Sequence, residues 1–415
     1  MIEDRDLFER AAQRFAPPES SFDRLVARRD RKRRNERIGA GVVGITIAVA
    51  LAVALGSVGL LRSGPPTPAN QTAPPRSDEI VMMRGFAWRD DTNPELVAID
   101  PGTGAVRTLV TCDQECGFSP FPWSPSGRKL LYSNGGSLFE FDFESEVSRS
   151  VVSGRAVGAI YSPDGRRIMY DAGTPPKTPT DFHLIASDGT GDTTLDPLAG
   201  MNLLWAEFSP DGRSIAYFDH SVYFADGAIG ILDLDGDPTA RTLVTFPRQD
   251  PCNTPSAPIG CVHSVTMSPA DGRIAYTTYD PKAGVDTLRV IDPDDGAIAL
   301  VARWSATSMP LGQRIAWSPD GSRIAYATGC QIWSIAPDGT DPALLHDLGT
   351  CTSVPDGLTW SSDGREIAFI EVERDVQGTP QSATLSVLPL DGPLRRLGTF
   401  AADDGGFFFA WGPSR

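Results

Sequence analysis

The 415-residue chain has little of what metal and nucleophilic chemistry uses: four histidines and six cysteines. His183, His220, His263 and His346 stand apart from one another. No Gly-x-Ser-x-Gly elbow, no His-Glu-x-x-His helix and no glycine-rich phosphate loop ending in Gly-Lys occurs, so serine hydrolases, zinc peptidases and nucleotide hydrolases lose their usual signatures. No catalytic residue, metal ligand or cofactor is assigned. Positive charge is also short, 37 Lys and Arg against 53 Asp and Glu for a net charge of -16, which argues against a nucleic-acid partner held by phosphate neutralisation. What is plentiful is glycine (41) and proline (35), together with 8 Trp, 19 Phe and 8 Tyr. That mixture disfavours both a helical protein and a disordered acidic chain, and points to turn-rich β structure with buried aromatics.

One absence is local. No charged residue lies between Ile38 and Leu61, 24 positions rich in Ala, Val, Leu, Ile and Gly, and about 20 apolar residues suffice for a helix to cross a bilayer. Residues 1–37 hold 11 basic and 8 acidic side chains, net +3, whereas 62–415 hold 26 and 45, net -19. Arg28, Arg29, Arg31, Lys32, Arg33, Arg34 and Arg37 stand just before the apolar run, which predicts a cytoplasmic N-terminus, a single transmembrane helix over 38–61 and the rest of the chain outside the plasma (inner) membrane. A cleaved signal peptide is the competing reading, but its apolar region is typically about 7–15 residues long. Ala40, Gly44, Ala48, Ala52 and Gly56 place small residues at every fourth position of the span, a pattern that permits a homodimer through it. Five prolines between Arg62 and Asp78 predict an extended stalk over 62–78.

All six cysteines, Cys112, Cys116, Cys252, Cys261, Cys330 and Cys351, follow the apolar run. An even number in an oxidising compartment reads as disulfides, neighbour with neighbour being the simplest pattern, although six cysteines allow about 15 connectivities. Zinc motifs usually need two tight Cys or Cys/His pairs at compatible spacing, and with four isolated histidines a metal site is the lesser reading.

From residue 79 onward the chain repeats. The segments 121–133, 159–171, 206–218, 265–277, 315–327 and 358–370 each carry a short apolar run ending in a large side chain, a Ser-Pro-Asp-Gly-type turn, then a second apolar strand. The motif serines 124, 162, 209, 268, 318 and 361 lie 38, 47, 59, 50 and 43 residues apart, near the spacing of a four-stranded propeller blade. Proline sets the first corner, aspartate bonds its own backbone and glycine takes positive φ. Second hairpins close at 187–192, 233–238, 292–297, 336–341 and 389–394. Residues 79–110 supply three strands without a first strand, and Phe407–Arg415 (FFFAWGPSR) supplies a first strand without the rest. The expectation is an all-β, seven-bladed β-propeller over 79–415 with the C-terminal strand completing the first blade, because closure removes exposed strand edges.

With six Trp-Ser-Pro-Asp-Gly-type repeats in phase, this region resembles the TolB-type, WD-like β-propeller family. The resemblance implies a scaffold that binds proteins, peptides or glycans, often at a cell envelope. Two departures are visible: TolB proteins place an α/β domain before a six-bladed ring, whereas this chain has an apolar run and stalk there and seven apparent blades.

Asp233, Asp235 and Asp237 resemble the start of a calcium loop, but four other repeats carry ordinary Asp-Gly turns at that place, so turn chemistry is the expected reading. Trp123, Tyr161, Phe208, Met267, Trp317, Trp360 and Trp411, one per repeat, are expected to pack between sheets rather than to cage a ligand. Length variation gathers in the other set of connections, 111–120, 171–182, 248–263, 278–286, 348–357, 371–383 and 400–406, and rigid scaffolds usually carry function on such loops. Candidate partner-binding residues are therefore Asp113, Glu115, Lys177, Asp181, Asp250, Asp280, Lys282, Asp286, Asp375, Asp403 and Asp404, against the blander reading of a solvated acidic rim. For the arm 1–37, Phe8, Ala11, Ala12 and Phe15 share one helical face. This short helical arm could bind a cytoplasmic protein, and it resembles the inner segments of bacterial membrane-bound anti-sigma regulators; a basic anchor on anionic lipid is the simpler alternative. The leading reading is an envelope binding or scaffold module. A transmembrane regulator and a hydrolase with an unrecognised site among the loops are the rivals.

Overall fold

The computed structural model describes residues 78–84, 93–112, 116–117, 119, 122–154, 156, 158–172, 181–201, 203–219, 227–246, 261–280, 282–306, 314–349, 353–374, 380–401 and 409–412. The arm, the apolar run and all of the stalk but Asp78 lie outside them. No helix among the described residues is long and apolar enough to cross a membrane; their one helical element is the 3-10 turn Asp196–Leu198.

The described residues form seven four-stranded antiparallel sheets. We number them as blades 1 to 7 and letter the strands a to d in spatial order. Blade 1 runs Phe409–Trp411, Ile80–Arg84, Glu95–Ile99, Val106–Thr111. The C-terminal strand does complete the first blade, with Ile80 opposite Trp411 and Met82 opposite Phe409. Strand a begins at Cys116 in blade 2, Ala159 in blade 3, Leu203 in blade 4, Cys261 in blade 5, Ile315 in blade 6 and Ser353 in blade 7, and in each case b, c and d follow in chain order.

Seven apolar clusters weld the blades, one in each seam. Period-two alternation decides which seam a side chain enters. In strand b of blade 1, Ile80 and Met82 pack against Ile370, Leu385 and Val387 of blade 7. Val81 and Met83 turn the other way, to Leu130, Tyr132 and Phe141 of blade 2. Five further clusters bridge blades 2–3, 3–4, 4–5, 5–6 and 6–7, so the sheets close into a ring. The seven large residues before the turns are all buried. Three of the four tryptophans among them also donate across the seam, Trp123 Nε1 to Ala410 O (3.4 Å), Trp317 Nε1 to Thr266 O (3.3 Å) and Trp360 Nε1 to Ala316 O (3.1 Å), while Trp411 Nε1 donates to Asp78 O at 2.8 Å within blade 1.

The repeated turn is a closed hydrogen-bonded unit. In blade 3, Ser162 Oγ donates to Asp164 Oδ1 at 2.6 Å and accepts from the Arg167 N–H at 2.9 Å, while the Arg166 N–H donates to Asp164 Oδ1 at 3.0 Å. Gly165, at φ +68°, then reverses the chain and lies against Pro125 of the preceding blade's turn; a Cβ there would stand 3.4 Å from Pro125 Cδ. Blades 4, 6 and 7 repeat the serine–aspartate bond at 209–211, 318–320 and 361–363. These bonds hold the Asp164, Asp211, Asp320 and Asp363 carboxyls below their ordinary range, the serine bond being the largest cause in each.

On the same side of the ring, arginines of d strands reach carbonyls in the c–d turns of the next blade: Arg149 to Ser187, Arg241 to Pro293 and, across the closing seam, Arg395 Nη2 to Pro101 at 3.2 Å.

Candidate functional site

The a–b and c–d turns occupy one face of the ring and the b–c and d–a connections the other. On the second face, at the seam of blades 3 and 4, lies a cavity of about 150 Å³. Its apolar walls are Ile160, Met169 and Phe182 of blade 3 and Leu203 and Ala206 of blade 4, members of the cluster that welds this seam. Strand a of blade 4 is irregular here: register against strand b shifts between Leu203 and Trp205. Such a bulge re-aims its side chains, and Leu204, which also lines the cavity, is 62% exposed.

Polar groups sit beside this apolar lining. Asp171 ends strand b of blade 3, directly opposite Phe182. Its Oδ1 accepts the Gly158 N–H at 2.7 Å, and Ser119 Oγ accepts the Ala159 N–H at 2.7 Å. Tyr170 donates its hydroxyl to Asp192 at 2.9 Å and stacks on His183. Burial, followed by the bond to Asp192, raises the Tyr170 hydroxyl above its ordinary range, so it stays protonated.

Strand a of blade 4 also carries Glu207, where the equivalent positions hold Pro122, Ile160, Thr266, Ala316, Thr359 and Ala410. It accepts from Trp205 Nε1 at 2.8 Å and, more loosely, from the Met267 N–H of blade 5 at 3.4 Å. Its residue surface is half-buried, yet protein encloses the carboxyl, and burial pushes it up to about 8 against those hydrogen bonds. Glu207 is thus a neutral acid at pH 7 that ties Trp205 to the neighbouring blade.

The candidates named from the sequence divide three ways. Asp113, Glu115, Lys177, Asp250, Asp375, Asp403 and Asp404, with Cys252 and Cys351, lie outside the described residues. Asp181 and Lys282 are exposed and Asp280 partly so; Asp280 Oδ1 accepts the Lys282 and Ala283 N–H groups at 2.9 and 3.0 Å, forming a local turn. Asp181 closes the blade 3 connection beside the cavity, its carbonyl accepting from the Ala172 N–H.

Asp286 is a correction. It is 2% exposed and belongs to strand c of blade 5, Val285–Ile291, paired with Tyr279, because the strands here run further than the turn residues suggest. Strand a of blade 7 likewise spans Ser353–Trp360, and its b and c strands take in 371–374 and 380–383 of the expected loop.

Asp286 belongs to a buried group that local sequence did not reveal: His263 Nε2 lies 3.1 Å from Asp286 Oδ1 and His263 Nδ1 lies 3.2 Å from Thr277 Oγ1. Hydroxyl, imidazole and carboxylate in that order resemble a hydrolytic triad, but the His263 and Asp286 side chains are 2% and 3% exposed and Thr277 is fully buried. No substrate reaches that hydroxyl, so the group satisfies itself within the blade. Cys112 and Cys116 form a disulfide with Cα atoms 6.0 Å apart, Cys330 is also disulfide-bonded, and no described cysteine is free. Around Asp233 the Oδ1 atom accepts the Asp235 N–H at 2.9 Å, as in an ordinary turn.

No protein-family model matches the chain, and no curated protein does. Solved structures similar to it include TolB from Acinetobacter baumannii, at 15% identity over 81% of this chain and 67% of that one with a TM-score of 0.48. The putative TolB from Agrobacterium tumefaciens is 15% identical over 81% of this chain and all of that one, TM-score 0.41. An oligogalacturonate lyase in complex with manganese is 16% identical over 77% and 85%, TM-score 0.49. The propeller assignment stands on the strand order and the seven seams, with TolB proteins among its structural neighbours.

Proposed function

We propose that the protein is a binding propeller of the cell envelope: a single-pass membrane protein, N-terminus inside, whose ring stands outside and holds a protein, peptide or glycan partner on the b–c and d–a face. Support for the topology is the uncharged run 38–61 with net +3 before it and net -19 after it, and the placement of every cysteine beyond that run. The observation that carries the binding reading is the cavity between blades 3 and 4, which opens among the connections rather than among the short turns.

Photo-crosslinkers placed at Leu204 on the cavity side and at Asp338 in a short c–d turn test the reading in native membranes. Partner adducts are expected at Leu204. Adducts confined to Asp338 would overturn it. Protease protection of inverted membrane vesicles tests the topology: the ring should be shielded and residues 1–37 cleaved.

A further inference from the structure

The cavity's lining says more than that something binds, and the following rests on the binding-face reading above. Strand alternation puts Met169 and Asp171 on the same side of strand b of blade 3, toward blade 4, and register sets Phe182 beside Asp171. An apolar wall of Ile160, Met169, Phe182 and Leu203 therefore continues directly into a carboxylate. Gly158 keeps that junction open: a Cβ there would stand 3.5 Å from Asp171 Oδ2 and 3.0 Å from Ser119 Oγ. About 150 Å³ is room for one side chain or a benzene-sized group, not for a folded segment or a sugar chain.

A hydrocarbon-lined space beside a carboxylate matches a ligand with an apolar stem and a cationic, hydrogen-bonding head. Such a ligand also suits the charge of the outer region, net -19 over 62–415, which draws cations and repels acidic polymers. We propose that the seam of blades 3 and 4 takes the side chain of a lysine presented by a peptide or protein partner. Its methylenes lie along Met169, Phe182 and Leu203, and its ammonium is held by Asp171 with Ser119 beside it.

The test uses the full-length protein in detergent and fluorescein-labelled Gly-Lys-Gly amide, with the norleucine analogue, which keeps the methylenes and lacks the ammonium, as the comparison probe. The lysine peptide should bind about tenfold more tightly than the norleucine peptide. Asp171→Asn keeps an acceptor for the Gly158 N–H and should bring the two affinities together. Gly158→Ala, which leaves every charge in place, should weaken the lysine peptide by crowding the junction. Melting curves of both variants separate lost binding from lost fold.

Equal affinity for the two peptides, or a lysine preference unchanged in a folded Asp171→Asn protein, would overturn the inference. So would binding of neutral oligosaccharides without binding of lysine peptide. If adducts form at Leu204 while lysine and norleucine bind alike, the binding face stands and the lysine pocket falls. If lysine peptide binds but native adducts appear only at Asp338, the pocket stands and the wider reading fails.

Discussion

On one face of the ring the turns of blades 3, 4, 6 and 7 bond a buried serine to its own aspartate at 2.6–2.7 Å, and arginines of blades 2, 4 and 7 reach carbonyls of the next blade. On the other face the connections differ in length, the strands end at different heights, and at the seam of blades 3 and 4 a bulge leaves Leu204 exposed above a cavity. Both faces close the same seven seams, so the apolar core does not require the asymmetry. A face whose turns spend their serine, aspartate and arginine groups on the fold has less to offer a partner, whereas a face free of that duty can vary and bind.

The contrast can be broken in order of size. The largest effect belongs beside the turn face, where Trp360→Ala would empty part of the blade 6–7 seam and strand the Ala316 carbonyl; a loss of about 3–5 kcal/mol is expected in denaturant unfolding. A cost below about 1 kcal/mol would mean the seams do not carry stability as described.

Glu207, between the two faces, should give an effect that depends on pH. Its folded value is raised above the ordinary 4.5 to about 8, so its contribution is present below pH 4.5 and is lost as pH rises through 8. Glu207→Gln mimics the neutral acid and should match the parent below pH 4.5, then exceed it increasingly as pH rises toward 9. Parallel stability curves across that range would show that the carboxyl is ionised in the folded protein.

Smaller still is Ser162→Ala in the turn of blade 3, expected to cost about 1–2 kcal/mol because the Arg167 N–H and Asp164 lose their partner. The depressed carboxyls of Asp164, Asp211, Asp320 and Asp363 add a sign that a melt against pH can check. A carboxyl whose folded value is lowered stabilises above the ordinary 3.8 and loses that contribution as pH falls through the folded value. The melting temperature should therefore drop below pH 4, and the Ser162→Ala protein should drop less steeply there than the parent. The smallest effect is at Leu204: Leu204→Ser should change stability by less than about 0.5 kcal/mol while weakening partner capture. A large stability loss there would erase the distinction between the faces.

How much was legible follows the same division. Each turn is contained within six residues, so serine, proline, aspartate and glycine announce it locally, and six recurrences in phase reveal the blade. Ring closure was legible as well, because 79–110 lacks a first strand and 407–415 supplies one. Asp286 was misplaced because nothing adjacent marks where strand c of blade 5 begins; its partner His263 is 23 residues away and beside a bulge. The alternation of Asp286 with Leu288 and Val290, both buried, is the signal that could have put it indoors.

Sequence by itself determined the number of blades, the turn chemistry and the strand that closes the ring, because those depend on contacts between near neighbours and on a periodicity that can be counted. Tertiary structure alone decided which polar groups are inside and where space is left. The cavity brings together Ser119, Gly158, Asp171, Phe182 and Leu203 from three blades, and its existence depends on how two sheets meet at a bulge, a property of packing that no single segment contains.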